Sequence, residues 1–308
     1  MAHRFRPATP RDRDAVFALC ATTWPDGDYI PRVWDAWLAD PAGAFVVGVD
    51  ATDTALAVGK LSVVAPGEGW IEGVRVAPAQ RARGWGRALV AHLLACAQQQ
   101  GLQVVRFLTA AGNVPMHRVA AALGFIPGGE YLPCHAAAEG EQLARLAQPE
   151  DTAALWALAR QLPSPAEPLR WQGWRAARAT RAWLAVAVQA GHVLVSADAA
   201  AFAAVAPPAV LAGGEVTVAL LAGAPAAFPP LLAAVRAWAA MHGAARVLGL
   251  FSDAAAAAAR QGGWTPYTER PMWLYTWNRE ASSGSTAAGS PPATGRVPPA
   301  PPGADHPR

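Results

Sequence analysis

WIEGVRVAPAQRARGWGRALVAHLLACAQQQG, residues 70–101, joins a strand, a basic glycine-rich turn and a helix without interruption. Residues 70–76 alternate β-branched or aromatic side chains with others, the pattern of a strand, and Pro78 ends the run because it has no N–H for a ladder. From Arg87 onward Leu89, Leu93, Leu94 and Ala97 recur at helical spacing, and Gly101 closes the segment. Between the two lies Gln80-Arg81-Ala82-Arg83-Gly84-Trp85-Gly86. Glycines at 84 and 86 let the backbone turn tightly and approach a ligand, so that N–H groups converge on an anion where the helix dipole is already positive. Arg81, Arg83 and Arg87 add formal charge. The turn is built for a pyrophosphate.

Two common phosphate loops do not describe it. The P-loop requires a Lys and a hydroxyl residue after its last Gly, and the dinucleotide fingerprint requires a third Gly where this chain has Leu89. R-x-x-G-x-G, as Arg81, Gly84 and Gly86 behind a strand ending Arg75-Val76-Ala77-Pro78, resembles the acetyl-CoA loop of the GNAT superfamily of N-acetyltransferases. The resemblance implies acetyl-CoA as co-substrate, with Val74, Val76, Arg81, Ala82, Arg83, Gly84, Trp85, Gly86 and Arg87 in contact with it. Asn113, eleven positions before Gly124-Phe125, resembles the superfamily's cofactor-contacting Asn. The Tyr that usually follows seven residues later, as proton donor to the leaving thiolate, is replaced by Ala120. His117 and Tyr131 are substitutes by position only.

At 308 residues the chain has room for two ordinary domains, and 53% hydrophobic residues can fill their cores. The apolar tract 199–212 is interrupted by Pro207-Pro208 and falls short of a membrane span. The N-terminal residues are too charged for a signal peptide, so a soluble cytoplasmic protein is expected. Cys20, Cys96 and Cys134 are widely separated and odd in number, implying neither a zinc site nor a disulfide framework; no metal is expected. Net charge is only +3, and the one dense basic cluster is the turn at 81–87, which favours a phosphorylated cofactor over a nucleic-acid face.

Along the chain, a short strand at 5–8 precedes a helix capped by Thr9, and a second helix carries Trp34 and Trp37. Runs at 44–49 and 55–64 form a hairpin leading into the central strand. Strand 104–108 and helix 116–123 follow, giving β, α, α, β, β, β, α, β, α, the GNAT order. The pattern then restarts. Pro149 to Leu158 echoes Pro10 to Leu19, and Gly263-Trp264 echoes Gly124-Phe125, both at a separation of 139. The expected fold is therefore α/β (α+β), two tandem GNAT-like domains with central mixed sheets, the first over 1–138 and the second over 139–280. The second is degenerate, because Ala222 to Pro230, after its central strand, has neither arginine nor R-x-x-G-x-G. Residues 281–308, rich in Ser, Gly, Ala and Pro without periodicity, read as a disordered tail.

An amine must be neutral to attack a thioester and is mostly protonated at pH 7, so a base is required. Glu72, on the central strand, is the candidate. A narrower resemblance, over residues 1–130, is to the histidine N-acetyltransferase group. It rests on Asp28-Tyr29-Ile30-Pro31, Trp37-Leu38-Ala39-Asp40-Pro41 and Glu72-Gly73-Val74-Arg75-Val76-Ala77-Pro78, and implies a small amino-acid-like acceptor, histidine possible. Asp28 and Tyr29 would line its pocket and Arg75, or another nearby arginine, would pair with its carboxylate. A non-catalytic acetyl-CoA sensor and a protein N-terminal acetyltransferase fit the same sequence.

Overall fold

The computed structural model describes residues 3–21, 23, 27–140, 144–162, 168–206 and 214–279; the tail from 281 and the loop residues Trp24 to Asp26 lie outside them. The first half runs β1 (Arg4–Pro7), α1 (Arg13–Cys20), α2 (Ile30–Ala39), β2 (Ala44–Val49), β3 (Ala55–Ala65), β4 (Glu68–Val76), α3 (Trp85–Gln99), β5 (Val104–Ala110), α4 (Val114–Ala122) and β6 (Ile126–Ala137). The second half begins with β7 (Arg145–Leu146), α5 (Thr152–Ala159), β8 (Leu169–Gln172), β9 (Arg175–Arg178), α6 (Arg181–Gln189), β10 (Val193–Val195) and β11 (Ala201–Ala206). It ends with β12 (Glu215–Gly223), α7 (Phe228–Met241), β13 (Arg246–Phe251), α8 (Asp253–Gln261), β14 (Thr265–Pro266) and β15 (Met272–Asn278). No described helix is long and apolar enough to cross a membrane.

Both halves contribute to one sheet, in the order β1-β2-β3-β4-β5-β15-β6-β13-β12-β11-β10-β7, with β14 also on β6. The expected two-fold repetition is present in detail. Arg6 holds Asp12 at 2.7 Å, and Arg145 holds Asp151 at 2.6 Å, each partner 139 positions after its counterpart. Asp12 in turn accepts from the Thr9 N–H at 2.8 Å and Asp151 from the Gln148 N–H at 2.7 Å, tying down the turn that starts each first helix. Burial pushes the Asp12 carboxyl up, but the bonds from Arg6 and Thr9 outweigh it and hold the group below its ordinary range.

The halves are not separable at residue 138. β15, from the C-terminal end, lies between β5 and β6, pairing with β5 from Met272↔Ala110 to Asn278↔Val104. β6 is divided between them: Ile126 to Tyr131 pair with β15, and Leu132 to Ala137 pair with β13. The chain thus exchanges strands with itself, and the sheet of the first half is completed by the last strand described.

The helices α3 and α4 cover one face of the first half. Leu89, Leu93, Leu94 and Ala97, the apolar face predicted for α3, join Phe107, Tyr275 and Trp277 in one cluster. The opposite face is covered by α1 and α2, where Val16, Ile30, Trp34 and Trp37 pack on Phe45, Val47 and Val58. Beside that second cluster lies a feature absent from the sequence reading, the β8–β9 hairpin. It turns at Gly173-Trp174, with Gly173 at φ +58. Its Trp171 packs against Trp70 and Tyr131, with ring centroids 6.3 and 4.9 Å away. The turn is fixed by Gly173 N–H donating to Thr217 Oγ1 at 3.0 Å, and the far end by Arg178 N–H donating to Glu68 at 3.0 Å. Glu68 also pairs with the buried Arg106.

Candidate active site

The site begins where two parallel strands part. β4 and β5 are paired only at Glu68↔Val104, Gly69↔Val105 and Trp70↔Arg106, although β4 continues to Val76 and β5 to Ala110. Among the described residues the β5-facing edge of β4 has no strand partner from Ile71 onward, an edge of the kind to which a ligand presenting amides of its own can pair.

A bulge decides which side chains meet there. Arg75 pairs with Val58 and Glu72 with Lys60, so Gly73 and Val74 together oppose Gly59 alone. Gly73 carries the extra residue at φ +64, and a Cβ on it would lie 2.6 Å from the Trp37 ring. Because of this offset Val74 and Val76 both face the α3 cluster, whereas Glu72 and Arg75 share the face of α2 and the hairpin. Unbulged alternation would put Glu72 and Arg75 on opposite faces.

At the α3 end of the gap the turn has the predicted form. Gly84 is the N-cap of α3 at φ +84, and Ala82 has φ +59, which only glycine adopts without strain. Arg81, Arg83 and Arg87 are exposed. Arg81 reaches the Val76 carbonyl at 3.5 Å, and none of the three has an acidic partner among the described residues. Guanidinium groups without a described carboxylate partner, set around a helix N-terminus, suit a pyrophosphate. Trp85 differs from its neighbours: it is buried against Phe5 and His3 and stands over Gly48, so its side chain anchors α3 to β1 and β2. Asn113 caps α4 by accepting from Met116 N–H and donates to Thr109 Oγ1 at 2.9 Å.

On the acceptor side Glu72 is mostly buried and accepts from Ser62 Oγ at 2.7 Å. The Arg175 guanidinium, from β9, lies 2.9 Å from the same oxygen. Tyr29 stacks edge-on against Trp37 and sits under the Arg75 guanidinium, 5.6 Å from ring centroid to Cζ. Burial and the nearby Glu72 carboxylate push the Tyr29 phenol up, so it stays a neutral hydrogen-bond donor.

Two expectations need correction. Arg75 donates to both oxygens of Asp28, at 2.6 and 3.3 Å, and to the Val74 carbonyl at 3.2 Å. Asp28 and Arg75 are thereby committed to each other, and the pair fastens the 27–29 segment to β4 rather than presenting an unpaired carboxylate and an unpaired guanidinium to an acceptor. His117 has both ring nitrogens engaged, with Tyr275 Oη at 2.9 Å and the Ala111 carbonyl at 3.0 Å. A carbonyl only accepts, so Nε2 carries a proton and donates to it. His117 locks α4 to β15 rather than pointing a free proton at the gap. Tyr131, the other substitute, packs on Trp171 of the hairpin. The sequence reading did not include Ser62, Arg175 or Tyr275. The turn signal Gln172-Gly173-Trp174 could have indicated the hairpin, but nothing local links Arg175 to Glu72 or Tyr275 to His117.

With this geometry in place, the chain can be set beside known proteins. The acetyltransferase (GNAT) family matches residues 13–125. The chain carries a GNAT acetyltransferase domain. A search of curated proteins gave no match. Among solved structures, a GCN5-related N-acetyltransferase from Sphaerobacter thermophilus is similar with a TM-score of 0.58 at 16% identity, covering 90% of this chain and 95% of that one. A Thermoplasma acidophilum protein described as an acetyltransferase gives 0.56 at 14%, covering 89% of this chain and 99% of that one. At such identities the likeness is one of fold, and it extends through both GNAT-like halves. The GNAT match itself ends at Phe125, short of β15, which completes the same sheet.

Proposed function

We propose that the GNAT domain acetylates the amine of a small, amino-acid-like acceptor, with Glu72 as general base and histidine as the first acceptor to test. The observation that carries this reading is the position of Glu72, two residues beyond the point where β5 leaves β4, on the face lined by Tyr29 and Arg175. In this reading acetyl-CoA supplies an activated acetyl thioester. The arginines at 81, 83 and 87 and the N-terminus of α3 hold its pyrophosphate, and the open edge of β4 receives its amides.

Glu72, held by Ser62 and Arg175, accepts a proton from the acceptor's ammonium group. The freed nitrogen lone pair forms the new bond to the acetyl carbon, the carbon–sulfur bond breaks with its electron pair left on sulfur until protonated, and the surplus proton that the attacking nitrogen then carries passes to solvent, leaving the neutral amide. With His117 committed to Tyr275 and the Ala111 carbonyl, solvent serves as the proton source for the thiolate. One acetyl-CoA is bound per chain. The corresponding helix of the second half, α7, starts Phe228-Pro229-Pro230, where two prolines lack the N–H groups a phosphate needs, and no arginine precedes it.

Glu72→Gln is the test. Turnover should fall about 10²- to 10⁴-fold, the span of general-base loss, while acetyl-CoA affinity measured by calorimetry stays within a factor of about three. A variant as fast as the parent at neutral pH removes Glu72 from the chemistry. Acetylation of peptide N-termini with every free amine untouched would instead indicate an open protein-binding groove.

A further inference from the structure

Among the described residues the β8–β9 hairpin has no counterpart in the first half, where α1 is followed by α2 with no strand between them. It sits between the halves, and both of its ends are hydrogen-bonded, to Thr217 of β12 and to Glu68 of β4. Trp171 and Ala176 belong to a buried cluster with Trp70, Leu248, Leu250 and Leu274, so the backbone carrying Arg175 is held from both strands. Arg175 itself is not enclosed. Its side chain remains 41% exposed, whereas the Glu72 carboxylate that it meets at 2.9 Å is 12% exposed.

That contact involves one Glu72 oxygen, the same one that accepts from Ser62. Among the described residues Arg175 has no second carboxylate partner, whereas Arg75 gives three of its donors to Asp28 and the Val74 carbonyl. A guanidinium presents five donors in a rigid fork, and the side chain that carries this one is 41% exposed beside the candidate base. A fixed cation 2.9 Å from a fixed anion is the charge complement of a zwitterion: an ammonium group prefers Glu72, and a carboxylate one or two bonds away prefers Arg175.

We propose that Arg175, supplied by the second half, is the acceptor's carboxylate anchor, and that an acceptor carboxylate draws Arg175 away from Glu72 and leaves that base free to take the amine's proton. This rests on the reading of Glu72 as base for a small amine and narrows the substrate class to amines that carry an adjacent carboxylate. It also gives the second half a function it retains without a cofactor loop. Amines lacking the carboxylate leave the Arg175–Glu72 pair intact and are poor acceptors.

Three matched acceptors test this: histidine, its carboxamide and histamine, each assayed by thiol release with the full-length protein. The parent should use histidine at least about tenfold better in kcat/KM than either neutralised analogue, the factor expected of a charge-assisted pair. Arg175→Gln should raise KM for histidine by at least about tenfold with kcat within about threefold, and should narrow the kcat/KM preference for histidine over histamine by at least about tenfold. Arg175→Lys, which keeps the charge but loses the fork, should recover part of the KM and guards against a folding defect. Equal losses for all three acceptors in both variants, or a parent that uses histamine as well as histidine, would overturn the anchor while leaving a small-amine acetyltransferase. No release with any free amine, in the parent protein, would overturn both the anchor and the function on which it rests.

Discussion

Gly73 shows how one residue sets the chemistry. Its left-handed φ creates the bulge that turns Glu72 and Arg75 to the same face, and the absence of a Cβ is what lets the Trp37 ring approach. Gly73→Ala introduces both backbone strain and a 2.6 Å contact with the Trp37 Cη2 atom. It should lower stability by about 1–3 kcal/mol and reduce turnover further than that loss explains, because relief of the strain moves Glu72. Thermal denaturation alongside acetyl-transfer assays checks this; a variant of parental Tm and rate would mean that the bulge is incidental.

At the scale of elements, α3 is the unit on which the proposed acetyl-CoA site is built. Its apolar face is buried at Leu89, Leu93 and Ala97, each fully inaccessible, and Trp85 pins its first turn to β1 and β2. The N-terminus is thus held rigidly at the mouth of the gap between β4 and β5. Gly84→Val places a β-branched residue at φ +84, where it cannot sit without opening the turn. Acetyl-CoA affinity by calorimetry should fall by at least about 30-fold, since the converging N–H groups are worth a few kcal/mol together, while the far-UV spectrum is retained. Undiminished affinity would place the pyrophosphate elsewhere.

For the whole molecule the decisive fact is the position of β15. It satisfies the edges of β5 and β6 at once and brings Tyr275 to His117 and Trp277 into the α3 cluster. A chain ending before Met272 would leave two unpaired strand edges beside an opened core, a combination that aggregates. We expect it to be insoluble or to have lost its cooperative thermal transition, whereas a chain ending at Arg279 should melt like the parent. A soluble, cooperatively folding and acetyl-CoA-binding chain without β15 would show that the first half is self-sufficient.

The strand–turn–helix unit was legible from residues alone because its determinants are local: a strand, a turn needing glycine at 84 and a helix N-terminus are all specified within about thirty consecutive positions. The repeat was legible for the same reason, since each half restates its own capping and periodicity. The acceptor end was not. Arg75 and Asp28 carry the right chemistry by composition, yet a 47-residue separation closes them on each other, and the arginine left with free donors lies 103 positions from Glu72, on a hairpin whose sequence shows only a turn. No local pattern states which strand fills the space between β5 and β6. That depends on which strand edges are left unpaired across the whole sheet, and so the tertiary structure alone determines that β15 completes the first half and that Arg175 meets Glu72.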